Sequence, residues 1–379
     1  MSPASENPRS ALVRWVKRDA LPLWHERGWD GALGGFVERL TPSGVPDSAA
    51  PRRMRVQARQ VYVYAHAAVL GWYAPAREIA LRGFEWMNAR CRAKQQSGFV
   101  HIVDANGAVL DGKIDAYDQA FGLLALAWMF RLTGDAQIRS MIDAELAFID
   151  GSIADPAHGG WREGIPAALP RRQNPQMHAF EAMLALYEAT KDVTFLNRAE
   201  ALLALMRDRL FDSRSGSLGE FFDGKMRPLE DPDSRVVEPG HHFEWTWLLL
   251  AYARLSGTAP SPLALQLYER AREWGIGANG FVVDEVTPEG RARKSSSRLW
   301  PQTEYIKANL ALQEHGLAPD AARRADEALT GLSKTYFTAQ PAGGWIDCLD
   351  EGGAVTDARM PSSTFYHVFC AIAEADRVG

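Results

Sequence analysis

The most constraining feature of this sequence is a marker that recurs about every sixty residues. A glycine followed closely by an aromatic residue marks short, β-prone segments with polar flanks: Gly35-Phe36, Gly98-Phe99, Gly160-Trp161, Gly280-Phe281 and Gly344-Trp345, with a looser form at Gly219-Glu-Phe221. The intervals between successive glycines are 63, 62, 59, 61 and 64 residues. A fixed period of this length is typical of an architecture in which each repeat is one supersecondary unit.

Apolar residues at helical spacing fill the stretches between the markers, two segments to each unit. They predict twelve helices: Ala11–His25, Val56–Trp72, Pro75–Lys94, Ala116–Thr133, Ala136–Ser152, Pro175–Thr190, Thr194–Leu210, His241–Ser256, Ser261–Trp274, Pro301–Glu314, Asp320–Tyr336 and Ser363–Ala373. Twelve helices in six hairpins predict an all-α fold, the (α/α)6 barrel, with short β segments in the connecting loops. The even repeat, with no linker or low-complexity stretch, predicts a single catalytic domain over residues 1–379.

The two helices of each hairpin differ in character. Even-numbered helices carry isolated polar residues among aromatic ones, and we expect them to form the inner ring. Odd-numbered helices are amphipathic and suit an outer ring. The starts of the inner helices and the loops before them then line a pit on the axis, where a small ligand binds. One long irregular region, Phe211 to Gly240, has the length of a functional or mobile loop.

Charge and cysteine content exclude several classes of partner. The 42 basic and 47 acidic residues give a net charge of −5, and no long basic run points to nucleic acid or an anionic membrane. Cys91, Cys348 and Cys370 are odd in number and widely spaced, as in a reduced protein. The segment Met1–Arg9 lacks a signal-type apolar run, and the longest apolar run, Phe121–Phe130, is too short to span a bilayer. We expect a cytoplasmic monomer or homodimer.

Each predicted inner helix begins with polar, ionisable or aromatic residues. In chain order they are Arg59, Tyr117 within Asp115-Ala-Tyr-Asp-Gln119, Asn174 and His178, His241 and Glu244, Trp300 and Glu304, and His367. Polar side chains that converge at one end of a barrel are typical of an active site. The imidazoles can take and return a proton near neutral pH, the aromatic rings can stack on a pyranose, and the Arg and Asn side chains can bind hydroxyl groups.

These residues also have purely structural interpretations. The alternatives are a buried Arg59 paired with a carboxylate, Asp115–Gln119 as a cap with a solvated first turn, Asn174 capping a helix that holds His178 in the core, His241 and Glu244 as a self-capping helix start, and a neutral His367 packed among aromatic residues. The sequence alone leaves each of them open.

Four segments together resemble a known family. They are Gln57-Ala-Arg-Gln-Val-Tyr-Val-Tyr64, Asn174-Pro-Gln-Met-His-Ala-Phe-Glu181, Pro239-Gly-His-His-Phe-Glu-Trp245 and Trp300-Pro-Gln-Thr-Glu304. In this order they look like the N-acylglucosamine 2-epimerase superfamily, which includes mannose isomerases and cellobiose 2-epimerases. The resemblance covers essentially the whole chain. The segment Pro361-Ser-Ser-Thr-Phe-Tyr-His367 is more similar to the mannose-isomerase branch.

The resemblance implies the fold, the reaction and the site. It implies an (α/α)6 barrel with His241 and His367 as the proton-transfer pair. It also places Arg59, Asn174, His178, Glu244 and Glu304 in the sugar site. We expect His367 to move a proton between C2 and C1 of an open-chain aldose through a cis-enediol. His241, oriented by Glu244, would open the ring, and Arg59 would stabilise the enediolate.

The expected substrate is an unphosphorylated monosaccharide, and no cofactor or metal is expected. The pairs His178-x-x-Glu181 and His241-x-x-Glu244 resemble the metal-free family, and we find neither a Gly-rich phosphate loop nor a cluster of basic residues at the helix starts. D-mannose to D-fructose, or D-lyxose to D-xylulose, is the expected reaction. The alternatives are a 2-epimerase of the N-acylglucosamine, glucose/mannose or cellobiose type, a glycoside hydrolase using Asp118 and Glu304, and a non-catalytic sugar-binding barrel.

Overall fold

Twelve helices account for most of the chain in the computed structural model, which describes residues 7–94 and 97–379. Residues 1–6, on which much of the expectation about the N-terminal segment rests, lie outside the described residues. The helices are α1 (Pro8–Trp15, Val16–Ala20 and Leu21–Glu26 in succession), α2 (Met54–Val69), α3 (Ala76–Cys91), α4 (Ala116–Thr133), α5 (Ala136–Ser152), α6 (Gln173–Thr190), α7 (Thr194–Leu205, then Met206–Leu210), α8 (Pro239–Ser256), α9 (Pro262–Gly275), α10 (Leu299–Glu314), α11 (Ala321–Thr335) and α12 (Ser362–Val378).

The even-numbered helices form a closed inner ring. Each of α2, α4, α6, α8, α10 and α12 packs against the next, and α12 returns to α2. The odd-numbered helices lie outside, with α3 on α2 and α1 against α11 and α12. Helix α4 is apolar on all sides because it is surrounded by protein, whereas α11 keeps its charged residues on one face. The predicted (α/α)6 barrel, with its inner and outer rings, is confirmed.

Short strands connect neighbouring units of the ring. They are β1 (Arg39–Leu40), β2 (Arg52–Arg53), β3 (Ile102–Val103), β4 (Val109–Asp111), β5 (Ile114–Asp115), β6 (Gly164–Ile165), β7 (Arg171–Arg172), β8 (Phe211–Asp212), β9 (Ser217–Leu218), β10 (Phe221–Phe222), β11 (Glu285–Val286), β12 (Ala292–Lys294), β13 (Ser297–Arg298), β14 (Cys348–Leu349), β15 (Val355–Asp357) and β16 (Met360–Pro361). The strand before an inner helix pairs antiparallel with a strand of the next unit, as β5 does with β6. The pair β16 and β1 joins the last unit to the first.

The glycine–aromatic markers are docking points for the inner helices. A glutamine carboxamide on an inner helix accepts from the N–H and donates to the C=O of one backbone residue; the four pairs are Gln57 with Phe36, Gln119 with Phe99, Gln176 with Trp161, and Gln302 with Val282. At the fourth, looser marker, His242 Nε2 accepts from Leu218 N. Gly160 has φ +66°, and a Cβ there would lie 2.4 Å from Gln176 Oε1. Glycine is required because the carboxamide approaches the backbone this closely.

Two of the structural alternatives that the sequence leaves open for helix starts were wrong. Helix α6 begins at Gln173, and its N-cap is Arg172 in the extended conformation rather than Asn174, because strand β7 leads directly into the helix. Asp118 is not on a solvated first turn; it is fully buried, where it contacts His101 and Arg55. No helix among the described residues is long and apolar enough to cross a membrane.

Candidate active site

A cavity of about 330 Å³ opens at the end of the barrel where the inner helices begin. It is lined by Arg53, Arg59, Tyr117, Asn174, His178, Glu238, His241, Glu244, Arg298, Trp300, Asp347, Pro361, Ser363, Thr364 and His367. Of the nine residues that the sequence predicts for the site, eight line this cavity. The ninth, Glu304, is fully buried and joins the site through its contact with His367.

His367 is held as a neutral imidazole. Its Nδ1 lies 2.8 Å from Glu304 Oε1, so Nδ1 carries the proton and Nε2 is left as the basic nitrogen. Burial lowers the pKa of His367 well below its usual range, and the positive charges of Arg59 and Lys307 lower it further. Because its Nδ1 is occupied, the ring can accept a proton only at Nε2.

His241 is held in the opposite state. Its Nδ1 lies 2.9 Å from Glu220 Oε1, and the other oxygen of Glu220 accepts from Gln173 Nε2 at 3.1 Å. Burial alone would lower the pKa of His241, but the charges of Glu220 and Glu238 raise it to about 9. The ring is therefore protonated near neutral pH. One lowered and one raised pKa in the same cavity give a base and an acid.

The expectation that Glu244 orients His241 was wrong. Glu220, in the loop between α7 and α8, fills that role, and neither oxygen of Glu244 has a hydrogen-bond partner among the described residues. Glu244 is also buried rather than at a surface-facing helix start. Burial, and then the charge of Glu304, raise the pKa of Glu244 well above its usual range. A neutral carboxylic acid here can donate a hydrogen bond to a ligand in the cavity.

Arg59 is not neutralised by a carboxylate, contrary to its structural alternative. Its Nη2 donates to Tyr117 Oη at 2.7 Å, its Nη1 reaches Ser363 O at 3.4 Å, and its guanidinium lies 4.2 Å from the Phe121 ring centre. Among the described residues, neither its buried Nε nor Asn174 Oδ1 has a hydrogen-bond partner. Buried polar atoms without partners are costly, so these two suit a ligand that completes their hydrogen bonds.

His178 and Trp300 complete the wall of the cavity. His178 Nδ1 lies 2.8 Å from Glu181 Oε2, and burial lowers its pKa to about 4 despite that carboxylate. The Trp300 ring centre is 5.1 Å from that of His241 and 5.6 Å from that of His367. Trp300 can therefore set the separation of the acid and the base. An aromatic face at this place suits contact with a sugar.

Basic residues do stand at the helix starts, contrary to the sequence-based expectation. Arg53 and Arg298 each precede an inner helix directly and line the cavity. Arg53 is paired with Glu38, and Arg298 lies 2.9 Å from Asp284 and 3.3 Å from Glu238. Their charges are largely compensated by these carboxylates, so the cavity rim is not a free cationic surface.

Within residues 7–94 and 97–379, three clusters of ligand-type atoms lie close enough to surround a cation. They are His178, Glu181 and Glu244; Glu220, Glu238 and His241; and Glu244, Glu304 and His367, with the atoms of each cluster within 4.8 Å of one another. In each cluster a histidine Nδ1 is already bonded to a carboxylate. The third also contacts the Lys307 ammonium, 2.6 Å from Glu304, which occupies the place of a positive ion. We assign no metal ligands here.

An (α/α)6 barrel whose axial cavity holds a neutral imidazole, an imidazolium and an arginine that pairs with no carboxylate among the described residues has the groups needed to move protons on a small polar ligand. The family described as N-acylglucosamine 2-epimerase (GlcNAc 2-epimerase) matches residues 34–371, and the chain belongs to this family. It is a sugar isomerase or epimerase.

Relatives of both kinds are similar over nearly their full length. A protein named mannose-6-phosphate isomerase from Rhizobium meliloti (strain 1021) is 35% identical, with 96% of each chain covered. A D-mannose isomerase from Thermobifida fusca is 28% identical, covering 88% of this chain and 86% of that protein. The solved structure of cellobiose 2-epimerase from Spirochaeta thermophila DSM 6192 has a TM-score of 0.88 at 21% identity, with 99% and 98% of the chains covered. At that identity the last likeness shows the fold alone.

Proposed function

We propose that this protein is an aldose–ketose isomerase that interconverts D-mannose and D-fructose by proton transfer through a cis-enediol. The observation that supports it best is the opposite protonation of two histidines in one cavity. Neutral His367 offers Nε2 as the base for the C2 proton, and protonated His241 offers an acid to the sugar oxygen. Isomerisation needs both functions at once.

The reaction begins with ring opening: His241 donates its proton to the ring oxygen as the C1–O5 bond breaks, and then takes up the proton that the O1 hydroxyl loses. His367 removes the proton at C2 while His241 protonates O1, and returns it to C1 while the O2 hydroxyl proton passes back to His241, which converts the aldose to the ketose. The negative charge that develops on O1 and O2 falls within reach of Arg59, whose Nε lacks a protein partner. Glu244, held as a neutral acid, donates to a hydroxyl group, and Asn174 and Tyr117 position the open chain.

The favoured substrate is unphosphorylated. Arg53 and Arg298 at the cavity rim are each engaged by carboxylates, so a phosphate at C6 would have to displace an existing ion pair. The relatives include one named for mannose 6-phosphate, and this part of the proposal is tested with both sugars. The hydrolase alternative loses support because Asp118 does not line the cavity; it is buried against His101.

The experiment is to incubate the protein with D-mannose, and separately with D-mannose 6-phosphate, and to resolve the products by chromatography. We expect fructose from free mannose. Glucose as the main product would instead make the protein a 2-epimerase. Turnover of the 6-phosphate alone would overturn the unphosphorylated substrate, and release of a shorter saccharide from a mannoside with no ketose from mannose would favour a hydrolase.

A further inference from the structure

One buried cation in the barrel has no place in the mechanism above. Lys307 lies on α10, one turn after Glu304, and is fully buried. Its Nζ is 2.6 Å from Glu304 Oε2 and 3.8 Å from the centre of the Trp247 ring. A lysine is almost never buried without a partner, because its charge must leave water. Because burying this charge costs free energy, the position of Lys307 beside the site indicates that it has a functional role.

Glu304 divides its two oxygens between Lys307 and His367. Oε2 faces the Lys307 ammonium at 2.6 Å, and Oε1 faces His367 Nδ1 at 2.8 Å. The His241 pair has a different group behind its carboxylate: Glu220 binds His241 through Oε1, but its Oε2 accepts from the neutral amide of Gln173. The two pairs are alike in geometry and differ in the charge placed behind the carboxylate.

We propose that Lys307 is a positioning residue that compensates the charge of Glu304, so that Glu304 orients His367 without drawing a second proton onto it. The inference rests on the proposed function, in which His367 is the base. It assigns part of the difference between the two histidines to the ammonium behind one carboxylate and the amide behind the other, beside the charges of Arg59 near His367 and Glu238 near His241. Lys307 does not line the cavity, and it acts through its contact with Glu304 and through its charge.

The remaining charges around this group act on the pKa of His367 in both directions: Arg59 lowers it and Glu181 raises it. The titratable groups that face His367, Glu304 and Lys307 come from four neighbouring helices: Arg59 on α2, His178 and Glu181 on α6, Glu244 on α8, and Tyr366 and Cys370 on α12. Burial alone would lower the pKa of Lys307, but the carboxylates of Glu304 and Glu181 raise it, so the ammonium stays charged. Without that charge, Glu304 would face His367 uncompensated and the pKa of His367 would rise.

The test compares Lys307→Met, which removes the charge but keeps an apolar chain of similar length, with Lys307→Arg, which keeps the charge. The readouts are the pH dependence of kcat/KM on D-mannose and the titration of the His367 ring by NMR. In Lys307→Met we expect the acidic limb to move up by about one pH unit or more, because a compensating charge has been lost. In Lys307→Arg we expect the acidic limb close to its wild-type position, because the positive charge is kept.

Lys17→Met is the matched control, since Lys17 also lies over a tryptophan, Trp72, but on the outer ring away from the cavity. It should leave the pH profile unchanged. If Lys307→Met does not fold, Lys307→Met/Glu304→Gln removes both charges; we expect a lower kcat with the acidic limb at its wild-type position. The proposal is overturned if the acidic limb of Lys307→Met stays at its wild-type position, or if the acidic limb of the double variant moves away from it. If the wild type converts no sugar, the proposed function fails, while the NMR titration of His367 still decides the role of Lys307.

Discussion

Replacing Glu220 by Gln tests what makes His241 an acid. The side chain keeps its size and can still bond Gln173, but its negative charge is lost. Glu220 and Glu238 together hold the pKa of His241 at about 9, against an ordinary 6.5. That difference corresponds to about 3 kcal/mol in favour of the imidazolium, and Glu220 supplies the largest share of the attraction. The variant should therefore lose much of this stabilisation.

The assay is the alkaline limb of kcat/KM on D-mannose. Because the protonated form of His241 is the active one, activity is present below the folded-state pKa and is lost as pH rises through it. We expect the wild-type limb near pH 9 and the Glu220→Gln limb shifted down toward neutral pH. Glu163→Gln is the matched control: Glu163 follows the marker glycine of another repeat but pairs with Arg172, away from the cavity. An unshifted alkaline limb in Glu220→Gln would refute the assignment of His241 as the acid.

Three further substitutions test the site. His367→Asn should lower isomerisation at least ~100-fold, with KM changed much less, because the base is lost while the hydroxyl partners remain; steady-state kinetics check this. The free energy of unfolding of Glu244→Gln, measured in urea, should lie within about 1 kcal/mol of the wild-type value, because a neutral amide replaces a neutral acid. Gly240→Ala should lower kcat, because a Cβ there would lie 2.6 Å from Trp300, whereas Gly151→Ala, with open space around it, should be silent.

The fold could be predicted because its repeat has a local cause. Four of the glycine–aromatic markers lie where an inner-helix glutamine binds the backbone, as Gln176 binds Trp161, so the period of the ring has a direct trace in the sequence. The shared position of the site residues follows from the same repeat, since each opens an inner helix at one end of the barrel. The repeat therefore predicts which residues lie near the cavity.

The partners of these residues could not be predicted, because pairing depends on distances between units. Glu244 shares a helix face with His241, yet Glu220 from the preceding loop binds the ring. A signal for Glu220 was present: the other repeats carry an ionisable residue three or four places after the marker glycine, as Glu163 and Asp284 show. In the looser fourth marker the ionisable residue, Glu220, comes only one position after the glycine, and it was not predicted to belong to the site. Lys307 gave no signal at all, since a helical lysine is normally exposed.

The transfer of hydrogen between C2 and C1 tests the central claim most directly. D-mannose deuterated at C2 is incubated with the wild-type protein, and the products are followed by NMR. If His367 carries the proton between the two carbons, fructose forms and part of its C1 hydrogen is deuterium, the rest being diluted by exchange with solvent. Glucose formed with no fructose, or fructose whose C1 carries no deuterium at the earliest measurable turnover, would contradict the account.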